Sequence, residues 1–125
     1  MGKRFTEIAD NFREFIAQQK IFFVGTATDA SRVNISPKGM DSLRVLDSKR
    51  VIWLNVTGSG NETVAHLQTH SRMTSMFAAF EGAPMILRLY GNARAIQYNW
   101  RSKKARMASK TIGKKKSAEF GWCRY

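Results

Sequence analysis

The residues best suited to chemistry meet in one turn. A strand-like run, Val51-Ile52-Trp53-Leu54-Asn55-Val56, leads into Thr57-Gly58-Ser59-Gly60-Asn61, and a helical pattern with Val64 and Leu67 on one face follows. Ser59 and Glu62 fit the Ser-x-x-Glu capping box, which starts the helix near Gly60. A Gly-rich strand-to-helix turn leaves backbone N–H groups free beside the positive end of a helix, so it can hold an anion, most often a phosphate. The same residues also make a well-capped helix with nothing bound, and the turn alone does not choose between the two. It does exclude two sharper sites. A P-loop needs Gly-Lys-Ser/Thr, but Asn61 stands where the lysine would be. A dinucleotide fingerprint needs a third glycine, but Thr63 takes its place.

Other reactive side chains do not assemble. His66 and His70 are four apart, a metal-compatible spacing, but Leu67 replaces the glutamate of H-E-x-x-H. They read as ordinary helix-surface histidines, and no metal site is expected. Asp41 and Asp47 are separated by an apolar strand, too far apart for paired carboxylates. No serine sits in a nucleophile elbow. No catalytic residue can be assigned from these patterns.

The elements that must position the turn follow from periodicity. Thr6–Gln19 reads as an amphipathic helix through Ile8, Phe12, Phe15 and Ile16. Strands are expected at Ile21–Thr28, Val33–Ser36, Ser42–Leu46, from Val51, at Arg72–Phe80 and at Met85–Ile96. Pro37 should stop or bulge the second strand. Gly91 should mark a bulge or bend in the last one. Along that strand Leu87 and Leu89 share an apolar face, while Ile86, Arg88 and Tyr90 share the other. Phe22, Phe23, Phe77 and Phe80 read as core. The sum is a mainly β fold, a small antiparallel split or nearly closed barrel of about six strands. One helix stands at its start and one is inserted. A barrel this small is filled by side chains, so a ligand must lie outside it or in a groove shared with a partner.

The chain has 125 residues, 43% hydrophobic, enough for one core. No apolar run approaches the ~20 residues of a membrane span. The start of the chain is unlike a secretory signal, and one cysteine, Cys123, allows no internal disulfide, so a cytoplasmic protein is expected. The net charge of +12 is uneven. Residues 1–96 hold 12 Lys/Arg and 8 Asp/Glu, whereas 97–125 hold 9 and 1. The division expected is a domain over 1–96 and a basic tail over 97–125, disordered or loosely helical. The tail also admits nucleic-acid binding, through counterion release and stacking on Trp100, Phe120 and Trp122.

Three segments in order carry a family pattern: Ser36-Pro37-Lys38-Gly39, then Gly58-Ser59-Gly60-Asn61-Glu62-Thr63, then Phe80-Glu81-Gly82 with Leu87-Arg88-Leu89-Tyr90-Gly91. With the strands around them, from about Phe5 to Ile96, they resemble the pyridoxamine 5′-phosphate oxidase-like family of flavin mononucleotide (FMN)-binding split barrels. The resemblance implies a homodimer with FMN in two equivalent interface grooves. Carried over by position, Asn34, Ser36 and Lys38 would line the flavin or its phosphate. Asn55, Thr57, Ser59, Gly60, Asn61, Glu62 and Thr63 would form the other wall. The function implied is FMN-dependent oxidoreduction. A split barrel that holds flavin, haem or deazaflavin without turnover is the alternative.

The departures limit what is carried over. The oxidases hold phosphate with an Arg-Lys pair near the inserted helix, where this chain has Glu62-Thr63. Their C-terminal Arg and His residues, which grip pyridoxal phosphate, have no visible counterpart. Gln97–Tyr125 matches no continuation of the family pattern. The resemblance is therefore to the oxidase-like branch and not to a vitamin B6 enzyme.

Overall fold

The computed structural model describes residues 2–55, 61–96 and, as backbone, 117–122. The first helix, α1, spans Asp10–Gln18 and is shorter than its periodicity suggests. Its start is fixed by a competing bond. The Ile8 N–H donates to the Ser48 carbonyl at 2.6 Å, which ties the preceding chain to a neighbouring turn. Ala9 stays extended and has no capping side chain. The apolar stripe still works as expected: Phe12 and Ile16 are buried, and Phe5 packs edge-on against Phe12 at 4.7 Å.

Among the described residues seven strands follow: β1 Phe22–Thr26, β2 Asn34–Lys38, β3 Leu43–Asp47, β4 Arg50–Leu54, β5 Arg72–Ala78, β6 Ile86–Ile96 and β7 Ser117–Trp122. The second helix, α2, spans Asn61–Leu67 between β4 and β5. The strands form one antiparallel sheet in the order β2-β1-β5-β6-β7-β4-β3, so β2 and β3 are its two edges. This is a mainly β split barrel. No helix among the described residues is long and apolar enough to cross a membrane.

Three expectations change. Pro37 does not stop β2: pairing with β1 runs unbroken from Thr26↔Asn34 to Phe22↔Lys38. An edge strand tolerates proline, because the missing N–H falls on the side with no neighbour. Gly91 introduces no register shift. Instead β6 changes partners there, pairing β5 through Asn92 and β7 from Gly91 onward. Finally, residues 117–122, set apart from sequence as part of a disordered or helical tail, form β7 between β4 and β6. Their alternation, Ala118, Phe120 and Trp122 against Ser117, Glu119 and Gly121, has strand period but was outweighed by the surrounding lysines.

The inner faces of the strands fill the interior. Phe22, Val24, Val51, Trp53, Met73, Phe77, Leu89 and Ala93 are buried together beneath Ile8, Phe12 and Ile16. Phe22 and Phe77 stack at 5.5 Å. Phe80, read as core, is 71% exposed, because β5 ends at Ala78 and leaves it in the following turn. The turn joining the two edge strands holds Met40 and Asp41 at positive φ, 60° and 52°. Just before it, a Cβ on Gly39 would lie 3.0 Å from the Lys20 carbonyl.

Candidate functional site

The interior is mostly apolar, and most of its polar side chains lie along one wall. On β2, Asn34, Ser36 and Lys38 alternate and sit opposite Thr26, Val24 and Phe22 of β1. Paired residues in an antiparallel ladder share a face. The three therefore point the same way, with Val33, Ile35 and Pro37 on the reverse side. Asn34 is 9% exposed and Ser36 5%. Lys38 is partly buried, and desolvation pulls its ammonium pKa below the ordinary lysine value.

α2 covers the Asn34 end of this wall. It turns polar groups inward where an amphipathic helix would bury apolar ones: Thr63 and His66 are its buried residues. The Asn34 amide Nδ2 donates to Thr63 Oγ1 at 3.0 Å and to Thr26 Oγ1 at 3.2 Å. Thr26 Oγ1 in turn lies 3.0 Å from His66 Nδ1. Three elements, β1, β2 and α2, are thus joined by one buried chain of hydrogen bonds. Ser36 stands beside it with its hydroxyl oxygen buried and without a hydrogen-bond partner among the described residues. Ser75, across Val24 on β5, is in the same condition.

The residues expected at the site divide clearly. Asn34 and Thr63 are in direct contact. Ser36 and Lys38 continue the same face. Asn55 is buried at the end of β4, whereas Asn61 and Glu62 are exposed at the start of α2. Thr57, Ser59 and Gly60 lie outside the described residues. Two participants were missed. Thr26 carries no signal in the sequence beyond that of its strand. His66 was read as a surface histidine but is only 7% exposed. The available signal was its spacing: His66 lies three residues after Thr63, on the same helical face. His70 is different, with Nε2 3.2 Å from the exposed Asp29 carboxylate. Among the described residues no cluster of three or more His, Cys, Asp or Glu could hold a metal ion.

A family model described as pyridoxamine 5′-phosphate oxidase matches residues 8–121. This chain belongs to the pyridoxamine 5′-phosphate oxidase family. The match reaches into β7, which the sheet includes. Another family protein, ustO of Aspergillus flavus, is 38% identical over 98 residues, covering 76% of this chain and 39% of the relative. The chain thus spans about two-fifths of the length of that curated relative. The family fold is also found in solved structures. A variant of HupZ from Group A Streptococcus superimposes with a TM-score of 0.75 at 22% identity, over 94% of this chain and 96% of that one. A protein from Lactobacillus delbrueckii, described as a candidate pyridoxamine 5′-phosphate oxidase, gives 0.74 at 15% identity, over 96% and 93%. An FMN-binding protein from Syntrophomonas wolfei gives 0.63 at 16% identity, over 90% and 80%.

Proposed function

We propose that this protein is an FMN-dependent oxidoreductase that works as a homodimer and holds the flavin against the β2–α2 wall. One observation carries the reading. Ser36 presents a buried hydroxyl without a protein partner among the described residues, two positions from Asn34 on one side and from Lys38 on the other. An unsatisfied buried polar group costs about 1–3 kcal/mol, and a polar ligand on this wall would remove that cost. Lys38 adds a partly desolvated positive charge, suited to a phosphate or to the electron-rich edge of a flavin ring. The residues present therefore fit the group that the family suggests.

A bound flavin supplies hydride and electron transfer. The chain's own part is to orient it and to exclude water. Asn34, Ser36 and Lys38 sit on a strand held in register by β1. Thr63 is fixed to that strand through Asn34. The oxidases' C-terminal Arg and His residues, which grip pyridoxal phosphate, have no counterpart in this sequence, so vitamin B6 phosphates stay out of this proposal.

The reverse side of the same sheet supports the dimer. Val33 and Ile35 are 70% and 69% exposed, and Ile86 and Tyr90 are also exposed. With Phe23 and Met76, several of these residues line a broad apolar groove across β2, β1, β5 and β6. A second copy seated there would lie against the strand that carries the ligand wall.

The test is a visible absorption spectrum after adding FMN and desalting. Retained bands near ~370 and ~450 nm, as expected of a flavin cofactor, support the reading. A protein that keeps no added FMN overturns it. Retained flavin that no reductant bleaches would reduce the proposal to binding without turnover.

A further inference from the structure

We propose that His66 is a positioning residue of this wall, which sets the direction of its hydrogen bonds so that Asn34 offers a ligand its carbonyl oxygen and not its amide hydrogens. The inference rests on the flavin-site reading for its ligand, but its geometry stands on protein atoms alone.

The argument is a count of hydrogens. An amide nitrogen can only donate, and Asn34 Nδ2 has two hydrogens. They go to Thr26 Oγ1 and Thr63 Oγ1. Thr26 is buried, and its hydroxyl has one hydrogen of its own to place. Among the described residues the side-chain acceptor within its reach is His66 Nδ1 at 3.0 Å. The hydroxyl therefore donates to Nδ1, and the ring hydrogen sits on Nε2, the atom on the Glu62 side, 3.9 Å from its carboxylate. With both amide hydrogens spent inside the protein, Oδ1 is the atom of Asn34 left to meet a ligand. An oxygen repels a phosphate and attracts an N–H or O–H. Asn34 should thus face the donor groups of the ligand, a ring imide or a sugar-alcohol hydroxyl. The anionic end is left to Lys38 and Ser36. The opposite arrangement, with Asn34 Oδ1 accepting from both hydroxyls, would require His66 to donate from Nδ1. The histidine tautomer and the face that Asn34 shows are therefore one and the same choice.

Two measurements on the full chain test this. Long-range proton–nitrogen NMR spectra of the ligand-free protein should show His66 Nδ1 without hydrogen and Nε2 with it. A hydrogen on Nδ1 overturns the proposal whether or not the protein binds flavin. The second is FMN affinity by fluorescence titration of the parent, His66→Leu and His66→Asn. Leucine removes the acceptor. The asparagine oxygen can stand where Nδ1 stood. Leucine should weaken FMN binding by about tenfold or more, and asparagine should recover most of that loss. Equal affinity of the parent and His66→Leu overturns the proposal, and so does equal weakening in both variants. A parent that binds no FMN sinks the flavin reading instead, and the tautomer still decides the direction of the network.

Discussion

Lys38 carries two opposed tasks. Burial disfavours its charge, so without a ligand it destabilises the fold, while the same charge would serve the anionic end of the proposed ligand. Its pKa is lower folded than unfolded, so the unfolded chain binds the proton more tightly. The penalty is then fully present below the folded pKa and is relieved as pH rises toward the lysine value of 10.5. Replacing Lys38 by Met should raise the melting temperature of the ligand-free protein slightly at neutral pH, by no more than a few degrees. It should weaken FMN retention by about tenfold or more. Thermal melts and a desalting assay on one preparation check both. Asp47 works with the opposite sign. Its carboxylate accepts from the Lys49 N–H at 2.8 Å and from Arg50 Nε at 2.7 Å, and these bonds hold its pKa below 3.8. That stabilisation is present above 3.8 and lost as pH falls through the folded value. Urea midpoints of the parent and Asp47→Ala should therefore differ at neutral pH and converge in acid. Neither behaviour was visible in the sequence, where both residues are ordinary surface types next to turns. The turn geometry and the partial burial come from the paired strands.

At the level of elements, the wall depends on how β2 leaves β1. Gly39 follows β2 directly and passes close to the backbone before β1, where a methyl group would meet the Lys20 carbonyl at 3.0 Å. The carbonyl belongs to the backbone and cannot rotate aside. Gly39→Ala should destabilise the protein by about 1 kcal/mol or more, measurable as a lower urea midpoint with unchanged slope. Most of these elements were legible. Alternation along β6 placed Leu89 in the core and Arg88 and Tyr90 outside it, as the structure does. The strand at Arg50–Leu54 and the start of α2 at Asn61, beside the expected Gly60, were also readable. What sequence reasoning missed came from context. Pro37 continues its strand because β2 is an edge of the sheet that the described residues form. β7 escaped because a strand between two others needs little local signal once its partners exist. The sequence places Val64 and Leu67 on one face of α2, but its buried residues are Thr63 and His66, a choice made by the polar groups of β1 and β2.

For the whole molecule, the sheet offers two very different surfaces. Its inner side covers the packed core and carries the polar wall of β2, whereas the outer side of β2, β1, β5 and β6 leaves Val33, Ile35 and Tyr90 in water. The proposed dimer buries this side. Ile35→Asp places a charge at its centre without touching the inner wall, because Ile35 points away from Asn34 and Ser36. Sedimentation should show a dimer for the parent and a monomer for the variant at micromolar concentration. Flavin retention should fall with the dimer if a second copy completes the groove. A monomeric parent would remove the dimer from the functional reading. The proline in β2 bears on the same question from another direction. An uncovered strand is a template on which a foreign strand can grow, and chains that meet in this way do not stop at two. Pro37, the fourth residue of a five-residue edge, withholds a hydrogen that such growth would need. Contact along that border is thereby discouraged while contact through the broad side stays open, so the same residue favours an assembly of fixed size over an open-ended one.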